Sequence, residues 1–171
     1  MTQRDDLPEA VRPLAEFLGT WHGEGAGAVP GGLAPDFPYR EELTLRCNGM
    51  PWIEYASRTS NPETGRPMHT ELGWWRPKPA DEDGKIAVEM VLAHATGVVE
   101  VLVGELVDGA NGVHLEVASD VVARTPSAPA VAADRRMYAV RGGKLMYAID
   151  MATGEAGLVP HLAAALDPVT T

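Results

Sequence analysis

The sequence predicts an all-β fold, a single antiparallel barrel of about ten strands with short helices near both termini. Three observations predict it. Short runs of apolar residues follow one another along nearly the whole chain, each closed by a turn signal. No helical periodicity separates them, which excludes a parallel sheet, because parallel strands need long crossover connections. Several runs also carry apolar residues on both faces, which suits a barrel around a partly apolar cavity better than a sandwich.

In chain order, Val11, Leu14, Ala15 and Leu18 recur at helical spacing after Pro8, a short helix placed to plug one barrel mouth. Strands are predicted over 19–29, 39–47, 52–59, 68–76, 85–94, 98–107, 113–124, 131–140 and 144–151. The breaks are Asn48-Gly49, Glu63-Thr64-Gly65, Asp83-Gly84, Thr96-Gly97, Asp108 to Gly112 and Gly142-Gly143, several of them turns that join antiparallel neighbours. Within the runs, Ile86, Val88, Met90 and Leu92 share one face and Ala87, Glu89 and Val91 the other; Leu145, Tyr147, Ile149 and Met151 also share a face. Val99, Val101 and Val103 oppose Leu102 and Leu106, an example of a strand apolar on both sides. The stretch 26–38, rich in Gly, Pro and Ala, reads as a rim loop able to gate the cavity. After Pro160, the spacing of Leu162, Ala165 and Leu166 predicts a second short helix. With 171 residues, no internal repeat and no linker, residues 1–171 read as one domain with a core of about 14–168.

Composition narrows the function. A chain with 45% hydrophobic and 22% charged residues is ordinary for a globular protein and wrong for a disordered one. The net charge of −10 repels polyanions at long range and argues against nucleic acid as partner. No apolar run approaches the roughly 20 residues of a spanning helix, so no membrane partner is expected. Met1 to Asp6 lack the order of a secretory signal, and a cytoplasmic location is expected. Cys47 is the single cysteine, which excludes an internal disulfide and a cysteine-built zinc site; in a predicted strand it reads as a small buried apolar group.

Local motifs for catalysis are missing. The histidines are His22, His69, His94, His114 and His161, with no HxH or HxxxH pair. His69 and Glu71 point to the same side of a strand, where ordinary polar packing is the expectation; His22, His94 and His114 lie near turns and read as solvated. There is no G-x-S-x-G element, Walker loop or dinucleotide fingerprint, and Gly23-Glu24-Gly25 is followed by no helix that would make it a phosphate loop. Glu41 and Glu42 are adjacent, point to opposite faces and cannot form an acid/base couple. Of Arg135 and Arg136, at most one can face the interior. On these grounds the residues alone specify a barrel with a pocket and name no ligand.

The opening strand reads Gly19-Thr20-Trp21-His22-Gly23-Glu24-Gly25, a G-x-W-x-G-x-G pattern that resembles the first strand of calycin-type barrels. There the indole plugs the closed end and the glycines let the strand bend. Four further stretches extend the likeness: 37–43 (FPYREEL), 66–73 (RPMHTELG), 92–101 (LAHATGVVEV), and Met151-Ala152 followed by His161-Leu162. In order and spacing, from Leu14 to Leu166, the chain is similar to the nitrobindin family. The resemblance implies haem b in one mouth of a ten-stranded barrel, with His161 as axial iron ligand and Met68, His69 and Met151 around the cavity. It also implies isomerisation of peroxynitrite to nitrate on ferric haem, with nitric-oxide binding and no catalytic residue beyond the iron, and it allows a homodimer. The chain departs from the family at Pro30-Gly31-Gly32-Leu33, where Gly31 stands in place of a threonine that approaches the haem, and at Pro129, in place of a lysine. The same barrel also admits a non-enzymatic carrier of a fatty acid or other apolar ligand, or a nitric-oxide or haem sensor.

Overall fold

The computed structural model describes residues 6–30, 35–109, 112–154 and 157–169. A 3-10 helix, Glu9–Phe17, leads into ten strands: β1 (Gly19–Gly27), β2 (Phe37–Arg46), β3 (Ile53–Ser60), β4 (Pro67–Pro77), β5 (Ile86–His94), β6 (Val98–Gly109), β7 (Gly112–Arg124), β8 (Val131–Arg141), β9 (Lys144–Thr153) and β10 (Val159–Pro168). Each strand pairs antiparallel with the next, and β1 pairs with both β2 and β10, so the sheet closes into a barrel without a free edge. A tight turn falls at the glycine pair. Between β8 and β9, Gly142 and Gly143 take φ of 57° and 78°, the mirror-image turn that joins paired residues Arg141 and Lys144. No described helix is long and apolar enough to cross a membrane.

The C-terminal helix expected after Pro160 is a strand, β10. The Ala/Leu run has good helix propensity, but β1 would otherwise expose its whole hydrogen-bonding edge. Pairing Trp21 to Gly27 with Leu162 to Pro168 satisfies both strands. The ladder between β9 and β10 slips at one point: Pro160 faces Asp150 and Leu162 faces Ile149, which leaves His161 as the extra residue of a β-bulge.

The helix closes one end. Leu14 and Phe17 are fully buried against Trp21, Leu43, Leu45, Ile53, Trp75, Leu145 and Leu166. The Trp21 indole Nε1 donates to the Phe17 carbonyl at 2.8 Å, which ties the plug to the first strand. The Phe17 ring meets Trp75 edge-on, with centroids 5.8 Å apart. Cys47 lies one residue past β2, half-buried against this core.

Two glycines of β1 make room for aromatic rings on the neighbouring strand. Gly23, Gly25 and Gly27 have no positive φ. Instead, a Cβ on Gly25 would sit 2.3 Å from Cζ of Tyr39, and one on Gly27 would sit 2.4 Å from the Phe37 ring. Tyr39 and Phe37 are the cross-strand partners of those glycines, so each ring lies flat over the bare backbone opposite it.

Candidate functional site

At the end opposite the helix, the barrel holds a cavity of about 360 Å³, lined by the segment just after β1, the C-terminal halves of β3, β5 and β9 and the N-terminal halves of β2, β4, β6, β8 and β10. Its upper wall is apolar: Val29, Phe37, Met68, Val131, Ile149, Met151 and Leu162. Pro30 and Pro129 also line it, so the departure at Pro129 falls on this rim. Gly31 lies outside the described residues.

His161 reaches the cavity because of its bulge. Continued alternation from Leu166 through Ala164 and Leu162 would turn position 161 outward; the extra residue turns it in. Its Nδ1 lies 2.6 Å from the Ala28 carbonyl, which only accepts, so Nδ1 carries the proton and Nε2 keeps the lone pair. The Ala28 N–H in turn donates to the His161 carbonyl at 2.7 Å, holding the two strands together at this point. Burial lowers the ring's proton affinity below the ordinary histidine value, against the opposing Ala28 hydrogen bond, and keeps it neutral near neutral pH. Met68 and Met151 stand at the mouth, and His69 lines the cavity lower down. By contrast, Trp21 and Gly19 belong to the plugged end, and Gly25 acts through Tyr39.

The floor is a polar layer that the sequence reading did not assemble. Arg136 is 1% exposed, and its guanidinium donates from Nη1 to Glu71 (2.7 Å), from Nη2 to Glu100 (2.9 Å) and from Nε to Asp134 (2.9 Å). Tyr55 donates to the same Glu71 oxygen, Oε2, at 3.0 Å. Asp134 is fixed further by Ser119, whose Oγ accepts the Asp134 N–H at 2.8 Å. Burial, with Glu100 alongside and against the pull of Arg136, pushes the Asp134 carboxyl up to about 6. On the far side, the Tyr39 and Tyr147 hydroxyls share a hydrogen bond at 2.7 Å, and Tyr147 and Ser57 donate to Glu41, whose carboxyl burial pushes up. Arg135 points outward to Asp150, so one of the two adjacent arginines faces the interior, as their alternation requires.

His94 corrects an expectation. Read as solvated beside its turn, it is 8% exposed and points inward, its Nε2 3.0 Å from Glu100 Oε2. His69 and Glu71 do share a face, and His94 joins them: His69 Nε2 lies 3.1 Å from His94 Nδ1, and each of those atoms lies 3.4 Å from Glu71 Oε1. Glu41, Glu100 and the Asp134–Arg136 pair were missed as a set because they come from three different strands. The available signal was a charged residue at an inward position among apolar ones, as in Tyr39-x-Glu41-x-Leu43, or two charged residues on one face, as in Asp134-x-Arg136-x-Tyr138.

Comparison with known proteins bears on the same cavity. The family model for the THAP4-like, heme-binding beta-barrel domain matches residues 10–167. A protein named peroxynitrite isomerase from Parafrankia sp. (strain EAN1pec) is 39% identical, the match covering 94% of this chain and 80% of that one. One named peroxynitrite isomerase 2 from Mycobacterium avium (strain 104) is 35% identical, covering 94% and 96%. The crystal structure of Rv2717c from M. tuberculosis superposes with a TM-score of 0.85 at 33% identity, covering 96% of this chain and 99% of that one.

Proposed function

The chain belongs to the THAP4-like, heme-binding β-barrel family, the nitrobindins, and from that premise we propose that it holds haem b on His161 and isomerises peroxynitrite to nitrate. The observation that carries the reading is the His161 ring itself: neutral, fixed by the Ala28 carbonyl, and offering Nε2 inside a largely apolar cavity. A metal-ligating histidine needs that arrangement, an unprotonated nitrogen on one side and an acceptor fixing the tautomer on the other. Met68 and Met151 would pack against the porphyrin edge, soft side chains suited to a large flat ligand. When bound, the haem supplies a Lewis-acidic ferric centre for peroxynitrite and a site for nitric oxide. The protein's share is to orient the imidazole, exclude water along the apolar wall, and confine the reacting fragments. That division of labour is consistent with the lack of a nucleophile–base pair in the sequence motifs.

The floor argues against the fatty-acid carrier. Arg136 already serves three carboxylates, and an acidic headgroup at this depth would also meet Glu41. Reconstitution with hemin tests the proposal. The expected result is a Soret band that shifts with nitric oxide and is lost in His161→Ala, with ferric protein raising nitrate yield from peroxynitrite and protecting free tyrosine from nitration. An unchanged Soret band in His161→Ala would refute the ligand assignment. Loading without any gain in nitrate would leave a haem or nitric-oxide sensor as the function.

A further inference from the structure

We propose that His69, Glu71 and His94 form a divalent-cation site on the cavity floor, separate from His161 and selective for a zinc-like ion. The three facing atoms, His69 Nε2, Glu71 Oε1 and His94 Nδ1, form a triangle with sides of 3.1, 3.4 and 3.4 Å. Ligand atoms at 2.0–2.1 Å from a tetrahedral zinc lie about 3.3–3.4 Å apart, so this triangle is one face of that tetrahedron with little side-chain movement. As a hydrogen-bonded cluster the same group is only partly satisfied: the two imidazoles are within bonding distance at 3.1 Å, but both contacts to Glu71 Oε1 exceed the 2.7–3.2 Å of a good bond.

The surroundings orient each ligand as a metal site requires. Glu100 accepts from His94 Nε2, which in the neutral ring puts the lone pair on Nδ1, facing Glu71 and His69. Arg136 and Tyr55 both occupy Glu71 Oε2, leaving Oε1 to turn toward the two imidazoles. Glu100 is itself held by Arg136 at 2.9 Å, so a buried frame stands behind two of the three ligands. All three side chains line the cavity, with His69 the most open at 30% exposed, which gives an ion a way in and leaves a fourth coordination position for water or a small ligand. Two imidazoles and one carboxylate favour zinc or its neighbours over calcium or magnesium, which prefer all-oxygen sites. The site needs no haem, although a cation there would lie in the same chamber as the ligand proposed above.

The test uses the full chain, stripped with chelator and kept free of hemin, titrated with Co(II) as a spectroscopic stand-in and with Zn(II) by calorimetry. The expected result is one equivalent bound, with the intense visible absorption of four-coordinate cobalt. His69→Ala, at the open edge of the floor where folding is safest, should abolish the cobalt spectrum. Glu100→Gln should weaken binding about 10–100-fold, the usual loss when the carboxylate behind a ligating histidine is removed. His161→Ala should leave the titration unchanged, so loss of the haem ligand and loss of the cation site are read separately. No saturable binding to the wild-type chain, or binding that survives His69→Ala and His94→Ala, overturns the proposal.

Discussion

Replacing Arg136 with methionine tests the floor of the cavity most directly. The side chain is fully enclosed and its guanidinium is the common partner of Glu71, Glu100 and Asp134. Removing one member of a buried ion pair costs about 3–5 kcal/mol, because the remaining charge keeps its burial and loses its partner. For a chain of this size each kcal/mol moves Tm by about 2–4 °C, so the expected drop is about 6–20 °C. The pH dependence is the sharper check. Burial pushes the Glu71 carboxyl up, but Arg136, aided by His69 and His94, overrides it and holds the group well below the usual carboxylate range. Glu100 is held low in the same way, by His94 and Arg136 against burial. In the wild type these acids therefore add stability above the ordinary carboxylate range, lost as pH falls through their depressed values. Without the guanidinium, burial dominates and the sign reverses, since folding then favours the protonated acids. Urea denaturation should show a larger penalty at pH 8 than at pH 5. A penalty below about 1 kcal/mol, or one equal at both pH values, would refute this account of the floor.

Three further outcomes are expected. Gly25→Ala should cost about 1–3 kcal/mol, because the new methyl meets the Tyr39 ring at 2.3 Å and the Ala163 carbonyl at 2.7 Å; combining it with Tyr39→Leu should recover part of the loss in a double-mutant cycle by denaturation. Glu41→Gln should gain on the wild type as pH rises: burial raises this carboxyl, so its contribution is present at low pH and lost as pH climbs through the raised value, which parallel melts from acidic to mildly alkaline buffer would detect. Trp21→Phe should cost about 0.5–1.5 kcal/mol through the lost bond to the Phe17 carbonyl, with faster hydrogen exchange in the 3-10 helix as the sign that the plug has loosened.

Most of the barrel was legible because alternation and turn chemistry are local. Nine strands follow from apolar runs ending at turn signals, most of them carrying a glycine, and Leu145, Tyr147 and Ile149 do face inward together. The tenth strand was not legible. Its Ala/Leu run prefers helix by propensity, and only the need to cover the far edge of β1, a contact across about the whole chain, makes it a strand. His94 shows a different limit. The inward series Val88, Met90, Leu92 already assigned its direction, and its turn-side position outweighed that pattern in the reading of the sequence. The floor was beyond reach for a plainer reason: Glu41, Glu71, Glu100 and Arg136 lie on four strands, and no spacing in the sequence brings them together.

The single inserted residue in β10 separates two traits that would otherwise be inherited together. Deleting one position beside it would restore an unbroken pleat, leave every ladder partner from Leu162 onward in place, and swing the imidazole from the chamber to the outer wall. A lineage could thus lose its grip on a metal-centred guest through one codon's deletion while keeping an intact vessel, free to be refilled with something else.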